Sequence, residues 1–131
     1  MSKFLEGNFN RYSRQIVLPE IGLEGQKKIN AARVLLVGAG GLGSSAGYYL
    51  AAAGVGKIGI IDDDIIEMSN LQRQILHHNN DVGKPKVDSA KQTLEGLNPD
   101  IKILAYRDRL TPENISELIK DYDFKIGRAH V

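Results

Sequence analysis

Apolar and polar residues along the chain fall into blocks that alternate between strand and helix periods from Arg33 onward. Val34-Leu35-Leu36-Val37 is a short β-branched apolar run between Arg33 and Gly38, the pattern of a strand buried on both faces. Leu42, Ala46, Tyr49, Leu50 and Ala53 then recur at helical spacing, with Gly54 and Gly56 as a stop signal. Ile58-Gly59-Ile60-Ile61 is a second strand and ends on Asp62-Asp63-Asp64. An irregular polar segment covers residues 67–84. Pro85 opens a helix whose apolar stripe is Val87, Ala90, Thr93, Leu94 and Leu97, and Asn98-Pro99-Asp100 breaks it. Residues 101–106 read as a third strand. Thr111-Pro112-Glu113-Asn114 has the form of a capped helix start, with Ile115, Leu118 and Ile119 facing inward. Tyr122-Asp123-Phe124 opens a fourth strand, and residues 11–17 and 23–32 read as short helices ahead of the sheet.

This order implies parallel strands with right-handed crossovers, hence a Rossmann-like, doubly wound α/β sheet. Its 131 residues suit one domain, without internal repeat or linker. The expected organisation is a helical segment over residues 1–32, a sheet domain over 33–125 that is cut off in or after its fourth strand, and a non-native tail over 126–131. That tail reads IGRAHV, one translated frame of a common sequencing adapter.

Composition narrows the classes. With 17 Lys+Arg against 16 Asp+Glu the net charge is +1, too small a field for a dedicated nucleic-acid binder; without Arg128 the two signs balance. A 42% hydrophobic and 25% charged chain is globular in character. No apolar run approaches the ~20 residues of a membrane-spanning helix, and residues 1–10 lack a signal-peptide core. Without Cys there is no disulfide framework and no thiolate nucleophile or zinc ligand in this stretch, so the cytoplasm is the expected compartment.

Gly38-x-Gly40-x-x-Gly43 lies between a predicted strand and a predicted helix, the setting in which this pattern binds phosphate. Glycines let the backbone approach a phosphate, and the helix adds unpaired N–H groups and the positive end of its dipole. Asp62, 19 residues past Gly43, stands where a carboxylate accepts hydrogen bonds from ribose hydroxyls. The pattern points to a nucleotide without choosing which, since a dehydrogenase domain carries the same fingerprint. Arg73 and Lys86 set cations near the mouth of the turn, which suits a triphosphate attacked at its α-phosphorus better than a nicotinamide. A lysine at the start of a helix also opposes the helix dipole, which favours a functional reading of Lys86. His77-His78 reads as a surface pair, because adjacent residues point to different sides and no further ligands cluster with them. Tyr48, Tyr49 and Met68 read as packing residues, and Lys27-Lys28 as a solvated face.

Five motifs together resemble the ThiF/MoeB/HesA family of ATP-dependent adenylyltransferases, relatives of ubiquitin-activating enzymes. They are Arg11-Tyr12-Ser13-Arg14-Gln15, Gly38-Ala39-Gly40-Gly41-Leu42-Gly43, Asp62-x-Asp64, Asn70-Leu71-Gln72-Arg73-Gln74 and Gly83-Lys84-Pro85-Lys86. The resemblance implies that the C-terminal Gly carboxylate of a ubiquitin-like sulfur-carrier protein of thiamine or molybdenum-cofactor synthesis attacks ATP, giving an acyl-adenylate and pyrophosphate. It implies that Gly38, Gly40, Gly41 and Gly43 cradle the nucleotide, with Asp62 on the ribose and Asp64 beside it. Ser69, Asn70, Leu71 and Gln72 would line the nucleotide site, and Asn70, Arg73 and Lys86 would contact phosphates. Arg14 would reach across a homodimer interface into the partner's ATP site. Family members are longer: their magnesium-binding Asp follows the fourth strand, and many then carry a reactive Cys and C-x-x-C zinc motifs. These 131 residues alone are therefore expected to be weak or inactive. Three alternatives stand beside this reading: an NAD(P)-dependent oxidoreductase domain, a non-catalytic dimerising or scaffold member, and a tRNA threonylcarbamoyladenosine dehydratase.

Overall fold

Four five-residue or shorter runs rich in Val, Leu and Ile pair side by side in the computed structural model, which describes residues 3–72 and 76–127. They are β1 (Arg33–Val37), β2 (Lys57–Ile61), β3 (Lys102–Tyr106) and β4 (Phe124–Ile126). All pairs are parallel and the order is β3-β2-β1-β4. Val37 stands opposite Ile61, and Ile61 opposite Tyr106, so three strands end at one level. Ile126, the first residue of the expected tail, stands opposite Leu36, and residues 128–131 lie outside the described residues.

Five helices accompany the sheet among the described residues: α1 (Lys3–Ile16), α2 (Gly22–Ala31), α3 (Gly41–Ala53), α4 (Lys86–Leu97) and α5 (Pro112–Ile119). On one face of the sheet, Val34, Leu36, Ile58, Ile60 and Ile103 meet Ala51 of α3 and Val87, Ala90 and Leu94 of α4. On the other, Leu35 and Ile61 meet Tyr122, Tyr106 and Leu118 of α5. Burial on both faces is why the strands read as unbroken apolar runs, each such side chain contributing about 1.5–3 kcal/mol. None of the helices among the described residues is long and apolar enough to cross a membrane.

The structure corrects several sequence expectations. Among the described side chains of α3, Ser44, Gly47 and Ala51 are the fully buried positions, while Tyr49 is 69% exposed. Small residues let the helix axis approach the sheet: a Cβ on Gly47 would stand 3.1 Å from Leu36 Cδ1. Of the expected stripe, Ala46 and Leu50 are half-buried against the same core, and Tyr49 is turned outward. Ile119, in the last turn of α5, and Met68 are exposed, not packed. The first helix also starts at Lys3, well ahead of residue 11.

Helices α1 and α2 hold the far end of α3. Gln15 and Gln26 each donate a side-chain N–H to the Ala53 carbonyl at 3.1 Å. Asn98, which the sequence offers only as a helix breaker, is buried and donates to Tyr12 Oη at 2.8 Å and to the Ala51 carbonyl at 2.9 Å. The glutamine bonds satisfy the Ala53 carbonyl at the helix end, and Asn98 adds a second donor to the Ala51 carbonyl, which already accepts the Gly54 N–H.

Candidate functional site

The strand order reverses direction at β1, which lies between β2 and β4. In open α/β sheets, ligands bind in the crevice beyond the carboxyl ends of the strands at such a switch point. The turn over residues 38–43 occupies it, leaving β1 directly and entering α3 at Gly41. Gly38 has φ +96°, which side chains rarely adopt, and a Cβ on Gly43 would overlap the Gly38 carbonyl oxygen. Two of the fingerprint glycines are therefore required for different reasons. Gly40 caps α3 without a side-chain hydrogen bond, the arrangement in which a helix N-terminus receives an anion.

Asp62, at the end of β2, accepts the Ala39 N–H at 2.8 Å on Oδ2 and the Asp64 N–H at 2.8 Å on Oδ1. Each oxygen retains lone-pair capacity for a ribose hydroxyl. A cleft of about 170 Å³ opens there, lined by Val37, Gly38, Ile61, Asp62, Asp63, Asp108, Arg109 and Leu110.

Lys86 opens α4 and is buried, despite standing at the dipole end that disfavours a cation. Its backbone N–H donates to the Asp64 carbonyl at 3.0 Å, and its ammonium lies 3.8 Å from Asp64 Oδ2. Among the described residues that is its one acidic neighbour within 4 Å, and the distance is too long for a hydrogen bond. A buried ammonium so weakly matched is suited to an arriving anion.

The polar segment after β2 folds back onto the turn. Leu76 gives its N–H to Ser44 Oγ at 2.8 Å and its carbonyl accepts the Thr93 hydroxyl at 2.6 Å. His77 is buried, with Nε2 3.0 Å from the Ala39 carbonyl oxygen and Nδ1 2.9 Å from Ser89 Oγ. This corrects the surface-pair reading: only His78 is exposed. Of the two adjacent residues, His77 lies inside with Leu76, and His78 lies outside. Burial, with help from the Lys86 charge, pushes the His77 imidazole below its ordinary pKa, against the opposing pull of the Ala39 carbonyl, Asp81 and Asp62. Burial alone would raise Asp81, but the His78 N–H, Ser89 hydroxyl and Lys84 outweigh it and hold the carboxyl below its usual range.

Asp62, Asp63 and Asp64 each place a carboxylate oxygen within 4.8 Å of the others, the grouping a cation would need. All three are engaged within the chain, Asp62 by two N–H groups, Asp63 by Arg109 at 3.4 Å and Asp64 by Lys86.

Of the remaining sequence-predicted residues, Asn70 ends a short 3₁₀ turn (Met68–Asn70), Ser69 and Gln72 are exposed, and Leu71 is half-buried. Arg73, and the side chains of Leu42 and Asn70, lie outside the described residues. Arg14 is exposed on α1, whose next residue bonds Ala53 at the end of α3 remote from the turn. At 1.5 Å per residue that separation is about 20 Å, so a single copy of the chain does not bring Arg14 to the glycine turn. Ser44, His77 and Ser89 were missed by sequence reasoning; the apolar Leu76 beside His77 was the one local cue that this stretch turns inward.

Residues 12–126 match the ThiF family. The chain is 53% identical over 119 residues to the adenylyltransferase and sulfurtransferase uba4 of Aspergillus clavatus, covering 91% of this chain and 24% of that protein. It is 50% identical to the adenylyltransferase/sulfurtransferase MoeZ of Mycobacterium tuberculosis, over 86% of this chain and 29% of that protein. The chain thus spans about a quarter of the length of these curated relatives. Among solved structures, the tRNA N6-threonylcarbamoyladenosine dehydratase TcdA of E. coli in complex with ATP superposes with a TM-score of 0.85. It is 27% identical and covers 92% of this chain and 49% of its own.

Proposed function

The chain belongs to the ThiF family, and from that premise we propose that it forms the nucleotide site of an ATP-dependent adenylyltransferase acting on the C-terminal Gly carboxylate of a ubiquitin-like sulfur-carrier protein. The observation that carries this reading is the buried Lys86 ammonium beside the Asp62-Asp64 end of β2, next to a glycine turn shaped for phosphate. The relatives at 50–53% identity, both named adenylyltransferases, support it.

In the proposed step a carboxylate oxygen of the carrier attacks the α-phosphorus of ATP. The bond from that phosphorus to the bridging oxygen breaks, and pyrophosphate leaves with the electron pair. The attacking group belongs to the substrate, so the protein's task is to hold the phosphates and stabilise their charge. The turn over residues 38–43 offers backbone N–H groups, Asp62 receives the ribose, and Lys86 meets developing negative charge. Asn70 and Arg73 join them on the phosphates in this proposal, and a homodimer partner supplies Arg14. Magnesium, when bound, would neutralise charge on the phosphates. A cytoplasmic location accompanies the proposal.

The test is equilibrium binding of ATP and of NAD⁺, followed by ATP–pyrophosphate exchange by the full-length protein with a carrier ending in Gly. We expect ATP to bind, NAD⁺ to bind negligibly, and exchange to require the free carrier carboxylate. NAD⁺ binding in preference to ATP overturns the reading. The likeness to the ATP-bound dehydratase favours a second reading, in which tRNA and not a carrier protein stimulates ATP turnover.

A further inference from the structure

Ala39, inside the glycine turn, is held at both ends of its backbone by side chains from distant parts of the chain. Its N–H donates to Asp62 at 2.8 Å, and its carbonyl faces His77 Nε2 at 3.0 Å. A carbonyl oxygen can only accept, so Nε2 carries a proton, while Nδ1 stands 2.9 Å from the Ser89 hydroxyl, whose one proton is shared between the ring and the Asp81 carboxylate. Ser89 is itself buried in α4, so the ring is clamped between a rigid helix and the turn. We propose that His77, oriented by Ser89, is a positioning residue that holds the phosphate-binding turn in its ligand-ready conformation.

The physical need comes from the turn's own composition. Four of its six residues are Gly, which carry no side chain to pin them and lose the most conformational freedom on ordering. If that cost fell at the moment of binding, affinity would drop accordingly. An anchor on the Ala39 carbonyl, opposite the Asp62 anchor on its N–H, lets folding absorb the cost beforehand. Among the described residues, the charged groups that act on the ring are Lys86, Asp81 and Asp62. A neutral imidazole among them donates to Ala39 without adding a second positive charge beside the Lys86 ammonium.

The inference rests on the proposed function only in taking ATP as the ligand. Its test uses three variants of the full-length protein. His77→Leu fills the space without a donor; His77→Gln restores an amide N–H near the Nε2 position; Ser89→Ala removes only the hydroxyl that orients the ring. Amide hydrogen exchange over residues 39–43 is followed without nucleotide, and ATP affinity by calorimetry. We expect H77L to accelerate exchange in the turn and weaken ATP binding about tenfold, with H77Q within about threefold of the unsubstituted protein. Ser89→Ala should fall between them, and it carries the test if H77L does not fold. Unchanged exchange and affinity in H77L, or in S89A where H77L is unfolded, overturns the proposal, as does an H77Q protein no better than H77L. Faster exchange in H77L within a protein that binds no ATP would overturn the proposed function and leave the anchoring role standing.

Discussion

The hydroxyl of Ser44, in the first turn of α3, accepts the backbone N–H of Leu76 at 2.8 Å, tying the polar segment beyond β2 to the helix that begins at the glycine turn. Both groups are buried, so no water replaces the bond. Ser44→Ala leaves the Leu76 N–H unpaired, and we expect the protein to lose about 1–3 kcal/mol of stability in urea denaturation. ATP affinity should fall with it, because Leu76 precedes the His77 that anchors Ala39. Unchanged stability would show that the segment docks by apolar contact alone.

Lys86 gives a prediction with opposite signs for stability and binding. A buried ammonium 3.8 Å from an exposed carboxylate costs desolvation without a matching bond. Lys86→Met keeps the packing and removes the charge, so the nucleotide-free melting temperature should hold or rise. ATP affinity should fall about 10- to 100-fold, the range of a lost hydrogen bond to a charged group. Thermal denaturation and calorimetry read the two effects separately. A destabilised variant with unaltered affinity would assign Lys86 to the fold.

Acid should weaken the fold through two groups in separate pH ranges. His77 is held below its ordinary value, so as pH falls below about 6.5 the unfolded chain takes up a proton that the folded ring refuses. Stability then declines until the folded ring also protonates. Asp81 is held below the usual carboxylate range, so its contribution is complete above about pH 4 and is lost as pH falls through its lower folded value. His77→Gln should flatten the first decline and leave the second. The urea midpoint followed from pH 7.5 to pH 3 checks both.

How far the site could be read from the sequence depended on whether each signal was local. The helix start at Thr111 was legible because the capping box closes within four residues: Thr111 Oγ1 accepts the Asn114 N–H at 3.3 Å and Asn114 Oδ1 accepts the Thr111 N–H at 2.8 Å. Gly38 and Gly43 were legible for the same reason, since a backbone angle and a clash five residues apart dictate them. The inward side of α3 was legible only at Ala46 and Leu50, which pack against the core half-buried. Periodicity weights large apolar residues, whereas the sheet demanded small ones at Ser44, Gly47 and Ala51 so that the helix could come close.

By itself, then, the sequence determined the alternation of strands and helices, the glycine turn and the carboxylate at the end of β2, because short-range sterics and hydrogen bonding decide each. Only the tertiary structure decided which member of the histidine pair turns inward, that Lys86 is buried, and that Arg14 stands a helix length from the turn. Those outcomes depend on surfaces meeting across dozens of residues, as Ala39 meets His77 and Ser44 meets Leu76. No local pattern encodes such a meeting, because each partner looks ordinary until packing removes water from between them.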